Sequence, residues 1–569
     1  MKKTKGQFFT PGFLVKAILD KVTTFFPKEY ESRQITILDP AIGKGVFLST
    51  LIPIISSKFH SVKLYGLDID SSIIKIANKN LLPLAKEFNY EMEVKLGDFF
   101  LEFPLDFPKE FDVIIGNPPH NAKYSHSEWE EIRENCFFGQ ISNVRSESSV
   151  FFTLKSLNLL KPCGLLCFLL PKPIIYSKRW VVFREILLTD YTLIGVFDLG
   201  NQFTGQLQEQ CALIIQKRTP ISIGHQYVTG IWNSNLKKFL KVDRIFNKDA
   251  IALDNLLVGV SSAEMELIRR FHRKNYIDLD VNAFRGLSSR YRSIEGEIPL
   301  IEKSNFASGF LFPTQHYISP NTPQKLLLRQ KVPKIIAQRI ISYRTKPKFR
   351  LDVKTWFDSK GAILTHETVI NIIPNYSQQI ISYCAIAGLL ESSFVEWWLK
   401  STVYTQEFVT SKDFDKAYIN SIRIPKIVGP INKNYRLKLS NLLQKKQYEE
   451  ILNEVKNQSN IDKFFTLGEI YECYQTTGHK LKKKLLESIQ AEKPFNEKFS
   501  EFRKCKLYYN RLLKRFYSPS EESHLQDQCE EILDLFSELK ILKENMNEIV
   551  ISLYEINSEE RELIKKDLI

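Results

Sequence analysis

Short apolar runs alternate with amphipathic segments through the first 235 residues of this 569-residue chain. Segments such as Phe13–Phe25 and Ser71–Leu84 carry apolar residues at helical spacing. Strands that alternate with helices pair in parallel and are covered by those helices, so we predict an α/β fold with a parallel or mostly parallel sheet. The predicted strands are Ile35–Leu38, Lys63–Leu67, Phe111–Ile115, Leu165–Leu170, Leu193–Phe197 and Ala212–Ile215.

The composition changes twice after this region. From about residue 240 to 430, prolines recur and short basic strands are interspersed with aromatic residues. Residues 432–569 are rich in Lys, Glu and Leu, which favours helices. We therefore predict three domains: an α/β domain over 1–235, a mixed α/β domain over 240–430, and a helical region over 432–569.

Acidic residues stand at the ends of the predicted strands. Asp39 ends the first strand and is followed by the turn Gly43-Lys44-Gly45, where glycine lets the backbone approach a ligand closely. An acid here suits the cationic amino group of a methionine moiety better than a phosphate, although a purely structural loop fits equally well. Asp68 ends the second strand and can accept both hydroxyls of a ribose, or it can cap a helix, as Asp70 is expected to do.

Asp98 and Phe99 follow a further strand end, in Leu96-Gly97-Asp98-Phe99. A carboxylate in that place can accept a hydrogen bond from an adenine N6 amine, and the aromatic ring can pack on adenine. An ordinary loop also has this sequence.

The sequence Asn117-Pro118-Pro119-His120 directly follows the apolar run Phe111–Gly116. Two prolines donate no backbone N–H and stiffen the chain, so their carbonyls and the Asn117 oxygen can accept hydrogen bonds from another group. This arrangement suits the binding of an amino group whose lone pair must face an electrophile.

In this order, and with Gly6-Gln7-Phe8-Phe9-Thr10-Pro11, the motifs resemble those of the amino-methylating DNA methyltransferases. They resemble in particular the N6-adenine group, in which the cofactor motifs precede the target-recognition domain. The resemblance covers residues 6–216. It implies a Rossmann-like class I S-adenosylmethionine-dependent methyltransferase domain over 1–235, a target-recognition domain over 240–430 and a helical C-terminal region.

The resemblance also implies S-adenosylmethionine as cofactor, adenine in double-stranded DNA as substrate, and flipping of that base out of the helix. For the cofactor it implies Thr10 near the methionine end, Asp39, Ala41, Gly43 and Gly45 in the cofactor loop, Asp68 on the ribose, and Asp98 with Phe99 on the adenine. Asn117 and the Pro118 carbonyl are implied to bind the target amine, with Pro119 and His120 completing the catalytic motif. Phe203 matches the aromatic residue that packs on the flipped base, although a core Phe fits nearly as well.

His120 departs from the Tyr, Phe or Trp that the family usually has at this position. The imidazole ring is planar but smaller than the rings of Tyr, Phe and Trp, and it can become charged near neutral pH. Three interpretations remain open: His120 stacks on the base as a weaker platform, the site is slow or restricted to unusual conditions, or the protein binds DNA without methylating it.

Residues 321–360 contain eleven Lys or Arg against two acids, with aromatic residues between them. Such a cluster favours DNA, because cations on phosphates give affinity and contacts to base edges give sequence choice. Arg339 and Arg344 belong to this cluster, and Arg285 and Arg290 lie in the segment that opens the predicted recognition domain. The net charge of +14 agrees with an anionic partner.

The cysteines, the N-terminal sequence and the lengths of the apolar runs also restrict the possible classes of function. Eight scattered cysteines predict neither a disulfide framework nor a metal site, and no signal peptide or apolar run of membrane-spanning length is present, so we expect a cytoplasmic protein without membrane contact. We expect no nuclease domain before residue 6. Asp534, Glu538 and Lys540 form a nuclease-like pattern, Glu-x-Lys with an upstream Asp, but they fall in a helical pattern and are expected to be surface charges. We therefore expect methylation within a restriction–modification or related defence system whose nuclease, if present, is a separate chain. Methylation of RNA or of a protein glutamine is the alternative enzymatic interpretation.

Overall fold

The computed structural model describes residues 11–120, 122–135, 148–202, 209–220, 224–307, 309–311, 314–339, 341, 351–375, 383–404, 414–490 and 530–568. The chain divides into two compact units. The first comprises Met1–Arg269 with Lys400–Thr410, and the second comprises Arg270–Leu399 with Ser411–Ile569. The boundaries of the three domains inferred from composition stay a prediction.

A nine-stranded sheet forms the centre of the first unit, in the order β3-β2-β1-β4-β5-β7-β6-β8-β9. Strands β1 to β5 pair in parallel, β7 runs antiparallel to both β5 and β6, and β9 is antiparallel to β8. The prediction of a mostly parallel sheet is confirmed. The strands are β1 (Ile35–Asp39), β2 (Val62–Asp68), β3 (Glu91–Leu96), β4 (Phe111–Gly116), β5 (Leu160–Pro171), β6 (Thr192–Gly200), β7 (Gln210–Gln216), β8 (Gln226–Asn233) and β9 (Lys238–Phe246).

Helices accompany this sheet as the apolar spacing predicts. Helix α1 buries Leu14, Ile18 and Val22, which recur at the spacing that puts apolar side chains on one face. Helix α3 begins after Asp70, whose side chain accepts a hydrogen bond from the Ser72 backbone N–H at 2.9 Å, so the predicted cap is confirmed. The helices up to residue 271 are α1 (Gly12–Thr23), α2 (Val46–Ile55), α3 (Ser71–Glu87), α4 (His126–Asn135), α5 (Ser148–Asn158), α6 (Pro173–Tyr176), α7 (Val181–Thr189), α8 (Asn247–Leu253) and α9 (Ser262–Phe271).

Short strands and a four-stranded antiparallel sheet, in the order β11-β20-β17-β18, form the β-structure of the second unit. Its core includes the fully buried Ile335, Ile336 and Ile372. The strands are β10 (Tyr276–Asp278), β11 (Val281–Arg285), β12 (Arg292–Ser293), β13 (Leu300–Ile301), β14 (Phe306–Ala307), β15 (Phe310–Leu311), β16 (Tyr317–Ile318), β17 (Lys334–Gln338), β18 (Thr355–Asp358), β19 (Leu364–Thr365), β20 (Val369–Pro374) and β21 (Arg423–Pro425).

Helices dominate the second unit after residue 432, as predicted. In chain order, the α-helices of the second unit after α9 are α10 (Gln324–Gln330), α11 (Tyr383–Leu390), α12 (Ser393–Leu399), α13 (Lys416–Ile419), α14 (Lys433–Gln444), α15 (Tyr448–Val455), α16 (Asn460–Gln490), α17 (Glu530–Leu553) and α18 (Ser558–Leu568). Within the described ranges, none of the helices combines the length and apolar character needed to cross a membrane.

Candidate active site

The acidic residues singled out in the sequence converge along one edge of the sheet of the first unit. Asp39 ends β1 and Asp68 ends β2, while Asp98 follows β3 and Asn117 follows β4. Because these four strands are neighbours and run in parallel, their carboxyl ends meet at the same edge. Ligands of open parallel α/β sheets bind at such an edge, outside the carboxyl ends of the strands.

Asp39 is buried at this edge, with 1% of its surface exposed. Its Oδ1 accepts a hydrogen bond from the Ala41 backbone N–H at 3.2 Å. A Cβ added to Gly116 would lie 2.7 Å from the same Oδ1, so the glycine before Asn117 lets the two segments approach each other closely. Burial raises the pKa of the Asp39 carboxyl to about 8, because a carboxylate loses hydration there. A cationic ligand group would compensate that loss.

The glycine turn is built around Asp68. Gly43 and Gly45 both have positive φ, +53° and +80°, which glycine adopts without the strain that a side chain would bring. The Gly43 backbone N–H donates to Asp68 Oδ2 at 3.0 Å, and the Asp70 N–H donates to Oδ1 at 3.1 Å. Burial raises the pKa of Asp68, while these backbone donors oppose that rise. The turn and the second acidic residue therefore form one structural unit.

Asp98 is held from two sides. Its Oδ1 accepts the backbone N–H groups of Phe100 and Leu101 at 2.8 and 3.1 Å, and its Oδ2 accepts the Tyr124 hydroxyl at 2.9 Å. This last bond links the loop after β3 to the segment that follows Asn117. Phe99 is 2% exposed and stacks on Phe152 with ring centroids 4.8 Å apart, so its ring lies in the core. A role of Phe99 on the adenine stays a prediction.

Helix α5 is hydrogen-bonded to the segment that follows β4. The Ser148 hydroxyl donates to the Pro119 carbonyl and accepts the Ala122 N–H at 3.1 Å. The Pro119 carbonyl is engaged in this way, and binding of a substrate amine by the Asn117 side chain and the Pro118 carbonyl stays a prediction. The rigid dipeptide and these hydrogen bonds hold the backbone of residues 117–120 and of Ala122 in place.

His120 lies inside the protein. Its ring is 3% exposed, and its Nε2 lies 3.0 Å from Nε2 of Gln210, the first residue of β7. Burial lowers the pKa of His120 to about 4, so the imidazole is neutral at physiological pH. Stacking on a flipped base stays a prediction for this residue.

The remaining predicted site residues are distributed as follows. Thr10, Phe203 and Arg344 lie outside the described residues. Arg285, Arg290 and Arg339 belong to the second unit. Arg285 is half exposed with Nη2 3.4 Å from Asp415 Oδ2, Arg290 is exposed over the Tyr291 ring at 4.7 Å, and Arg339 is partly buried.

The sequence did not predict a role in the site for Tyr124, Ser148 or Gln210. Each contacts a predicted site residue through a hydrogen bond between segments that are 26 to 90 residues apart. None carried a signal in the sequence, because a single Tyr, Ser or Gln outside a motif is common in any chain.

Residues 1–251 match the family model described as N-6 DNA Methylase. This part of the chain is similar to that family. The match confirms the prediction of a methyltransferase domain and of S-adenosylmethionine as its cofactor, and the buried carboxyls and glycine turn fit a ligand with a cationic amine and ribose hydroxyls.

Two curated relatives are similar over part of their length. Type II methyltransferase M.HincII from Haemophilus influenzae is 27% identical over 211 residues, which are 36% of this chain and 36% of the relative. Type II methyltransferase M.CvrRI from Paramecium bursaria Chlorella virus XZ-6E is 24% identical over 224 residues, 38% of this chain and 49% of the relative. The matches thus span less than half of the length of either relative.

A solved structure is similar over a longer range but only distantly. The type IIG restriction endonuclease BpuSI aligns with 98% of this chain and 67% of its own, at 14% identity and a TM-score of 0.42. The site and the family match, which both concern the first unit, are therefore the basis on which a function can be proposed.

Proposed function

We propose that this protein is a sequence-specific DNA methyltransferase that transfers a methyl group from S-adenosylmethionine to the N6 amino group of adenine in double-stranded DNA. The observation that carries the proposal is the common sheet edge at which three acidic residues and Asn117-Pro118 meet. The family match over residues 1–251 supports the same assignment.

The cofactor side of the site would be formed by Asp39, Asp68 and Asp98. Asp39 is suited to the cationic amino group of the methionine moiety, Asp68 to the ribose hydroxyls and Asp98 to the adenine N6 amine. S-adenosylmethionine, when bound, supplies an electrophilic methyl group. The protein contributes the placement of this group opposite the amine, which in oriented systems accounts for much of the rate.

The substrate side would be formed by Asn117 and Pro118. The Asn117 side-chain oxygen and the Pro118 carbonyl accept the two N–H bonds of the amine, which raises electron density on its nitrogen and directs the lone pair. An amine inside a duplex is inaccessible, so the base must leave the stack at a cost of a few kcal/mol. The methylated nitrogen is positively charged and acidic, so it loses its proton to water without a strong base in the site.

The second unit would read the DNA. Exposed arginines such as Arg285 and Arg290 suit phosphates or guanine edges. We further propose that the protein is the modification component of a restriction–modification or related defence system, with a separate nuclease or other subunit as partner. Glu538, one of the three residues of the nuclease-like pattern, accepts the Lys446 ammonium at 2.7 Å and the Tyr448 hydroxyl at 3.0 Å, which supports a structural role for it.

Transfer of labelled methyl groups from S-adenosylmethionine tests the proposal, with mixed-sequence DNA, RNA and protein as separate acceptors. We expect label in DNA, and we expect Asn117→Ala to lower the rate by about 100-fold, as removal of one preorganised hydrogen-bonding group does. Asn233→Ala is the matched control, since Asn233 caps a turn in the same unit through the Leu236 N–H. Label in RNA or protein but not in DNA would overturn the proposal, and DNA binding without any transfer would favour a catalytically inactive homologue.

A further inference from the structure

The imidazole of His120 has a single hydrogen-bond partner among the residues that the structure describes. Its Nε2 lies 3.0 Å from Gln210 Nε2, and its Nδ1 is buried without a partner in those ranges. An amide nitrogen can only donate, so His120 Nε2 accepts and the ring proton of the neutral imidazole resides on Nδ1. The orientation and the tautomer of the ring are therefore set by Gln210.

Gln210 is itself firmly placed. It begins β7 between two neighbours, with Pro171 of β5 and Gly200 of β6 as its backbone partners, and it is fully buried. The residue before it, Glu209, accepts the Lys172 backbone N–H at 2.9 Å.

A buried ion cluster supports the same strand ends. Lys172 Nζ lies 2.6 Å from Asp198 Oδ2 and 3.7 Å from Glu209 Oε2, and the three side chains are at most 2% exposed. Asp198 Oδ1 also accepts the Gly200 N–H at 2.9 Å. Buried charges that satisfy one another in this way favour one arrangement of the groups around them. The cluster thus fixes the backbone at Lys172, Asp198 and Glu209, which lie on the segments next to Gln210.

We propose that Gln210 is a positioning residue of the methyl transfer: it holds His120 as the neutral Nδ1–H tautomer and thereby fixes the segment that carries Asn117 and Pro118. The inference depends on the proposed function. His120 follows Asn117 by three residues on a stiff segment, so a rotation of its buried ring would displace the acceptors of the target amine. Displacements of about 1 Å at such groups lower rates by up to about 100-fold.

A double-mutant cycle on single-turnover transfer to DNA tests this role. We expect Gln210→Leu to lower the rate about tenfold, the value of one hydrogen bond to a buried group, with unchanged affinity for S-adenosylmethionine. In a His120→Phe background the same change should have no further effect, since the partner is gone. An equal loss in both backgrounds would show a general structural role and overturn the inference.

Gln216→Leu is the matched control. Gln216 ends the same strand, and its Nε2 donates to the Cys163 carbonyl at 3.1 Å, away from the site. This variant should transfer methyl groups like the wild type.

Gln210→Glu gives a readout that a structural role would not produce. A carboxylate beside the imidazole raises its pKa by about 1–3 units from about 4, so the rate should acquire a titration step between about pH 5 and 7 that the wild type lacks. An unchanged pH profile would contradict the contact.

The tautomer can also be measured without activity. In protein labelled with 15N at histidine, with His120 assigned by comparison with His120→Gln, we expect a non-protonated Nε2 and a protonated Nδ1. The opposite tautomer would overturn the inference. Absence of transfer by the wild type would instead overturn the proposed function, so the two failures are distinguishable.

Discussion

At the scale of single residues, Asp39 connects the fold most directly to cofactor binding. Its buried carboxyl has a pKa of about 8 and is therefore largely protonated at pH 7 without a ligand. A cationic amino group beside it stabilises the carboxylate and lowers that pKa. Binding of S-adenosylmethionine at pH 7 should then release close to one proton, and the release should vanish above about pH 9, where the carboxyl is already ionised.

Calorimetry in buffers of different ionisation enthalpy measures this release. Asp39→Asn should abolish it. Binding by the wild type without proton release at pH 7 would show that the ligand amine lies elsewhere.

The contribution of Tyr124 to cofactor binding can also be tested with a single substitution. Its hydroxyl donates to Asp98 Oδ2, an oxygen with a further lone pair for an adenine amine. Tyr124→Phe frees the carboxylate to rotate, so we expect the dissociation constant of S-adenosylmethionine to rise by about tenfold, as the loss of one hydrogen bond to a charged group implies. Titration calorimetry tests this, and tighter binding by the variant would show that Tyr124 competes with the adenine instead.

The sequence predicted the site residues that directly follow strands, but it did not predict those that contact them from other segments. Asp39, Asp68 and Asn117 were recognisable because each stands directly after an apolar run, where a strand must end, and because their order matches a family. Tyr124, Ser148 and Gln210 act on those residues from other segments. Their contacts exist only once the strands and helices have packed, so no local pattern reports them.

At the scale of elements, helix α5 supports the segment that follows β4. Ser148, its first residue, bonds both the Pro119 carbonyl and the Ala122 N–H. We expect Ser148→Ala to lower the transfer rate about tenfold while cofactor affinity stays unchanged, because two hydrogen bonds that fix the acceptors are lost.

Ser156→Ala is the control for that variant. Ser156 is buried in the same helix, and its hydroxyl has no hydrogen-bond partner among the described residues. If both variants lose the same activity, the effect of Ser148 is one of helix packing and the positioning role is wrong.

The strands show how far apolar patterns reach. Each of the six predicted runs lies within a strand, since all six are central enough to be apolar on both faces. Strand β3 (Glu91–Leu96) was expected only from its end before Asp98 and not from an apolar run, because it is an edge strand with charged residues at alternate positions. The antiparallel direction of β7 could not be predicted either, because an apolar run does not show in which direction a strand runs.

At the scale of the whole molecule, the C-terminal helices belong to the core of the second unit. Lys543 of α17 donates to both the carbonyl and the side chain of Glu391 at 2.7 Å. The other oxygen of this 1%-exposed carboxylate accepts the backbone N–H and the hydroxyl of Thr355 in β18, and Thr355 also bonds Tyr471 of α16. A change in composition near residue 432 therefore does not imply an independent appendage, because composition does not report such contacts.

Lys543→Ala tests this integration. It leaves a buried carboxylate without its cation, so we expect a loss of about 3–5 kcal/mol in the free energy of unfolding, measured by urea denaturation. Lys540→Ala on the same helix should change it by less than about 0.5 kcal/mol, because that Lys is a surface partner of Glu544 at 3.9 Å. Equal effects would mean that α17 does not stabilise the unit through Glu391.

The identity of the methylated nucleoside shows whether this protein transfers methyl groups to adenine N6 in DNA. DNA incubated with the purified chain and S-adenosylmethionine is digested to nucleosides and analysed by mass spectrometry, beside DNA treated with Asn117→Ala. We predict N6-methyldeoxyadenosine from the wild type, and a yield about 100-fold lower from the variant. Methylated cytosine as the product, or N6-methyldeoxyadenosine formed equally well by Asn117→Ala, would contradict it.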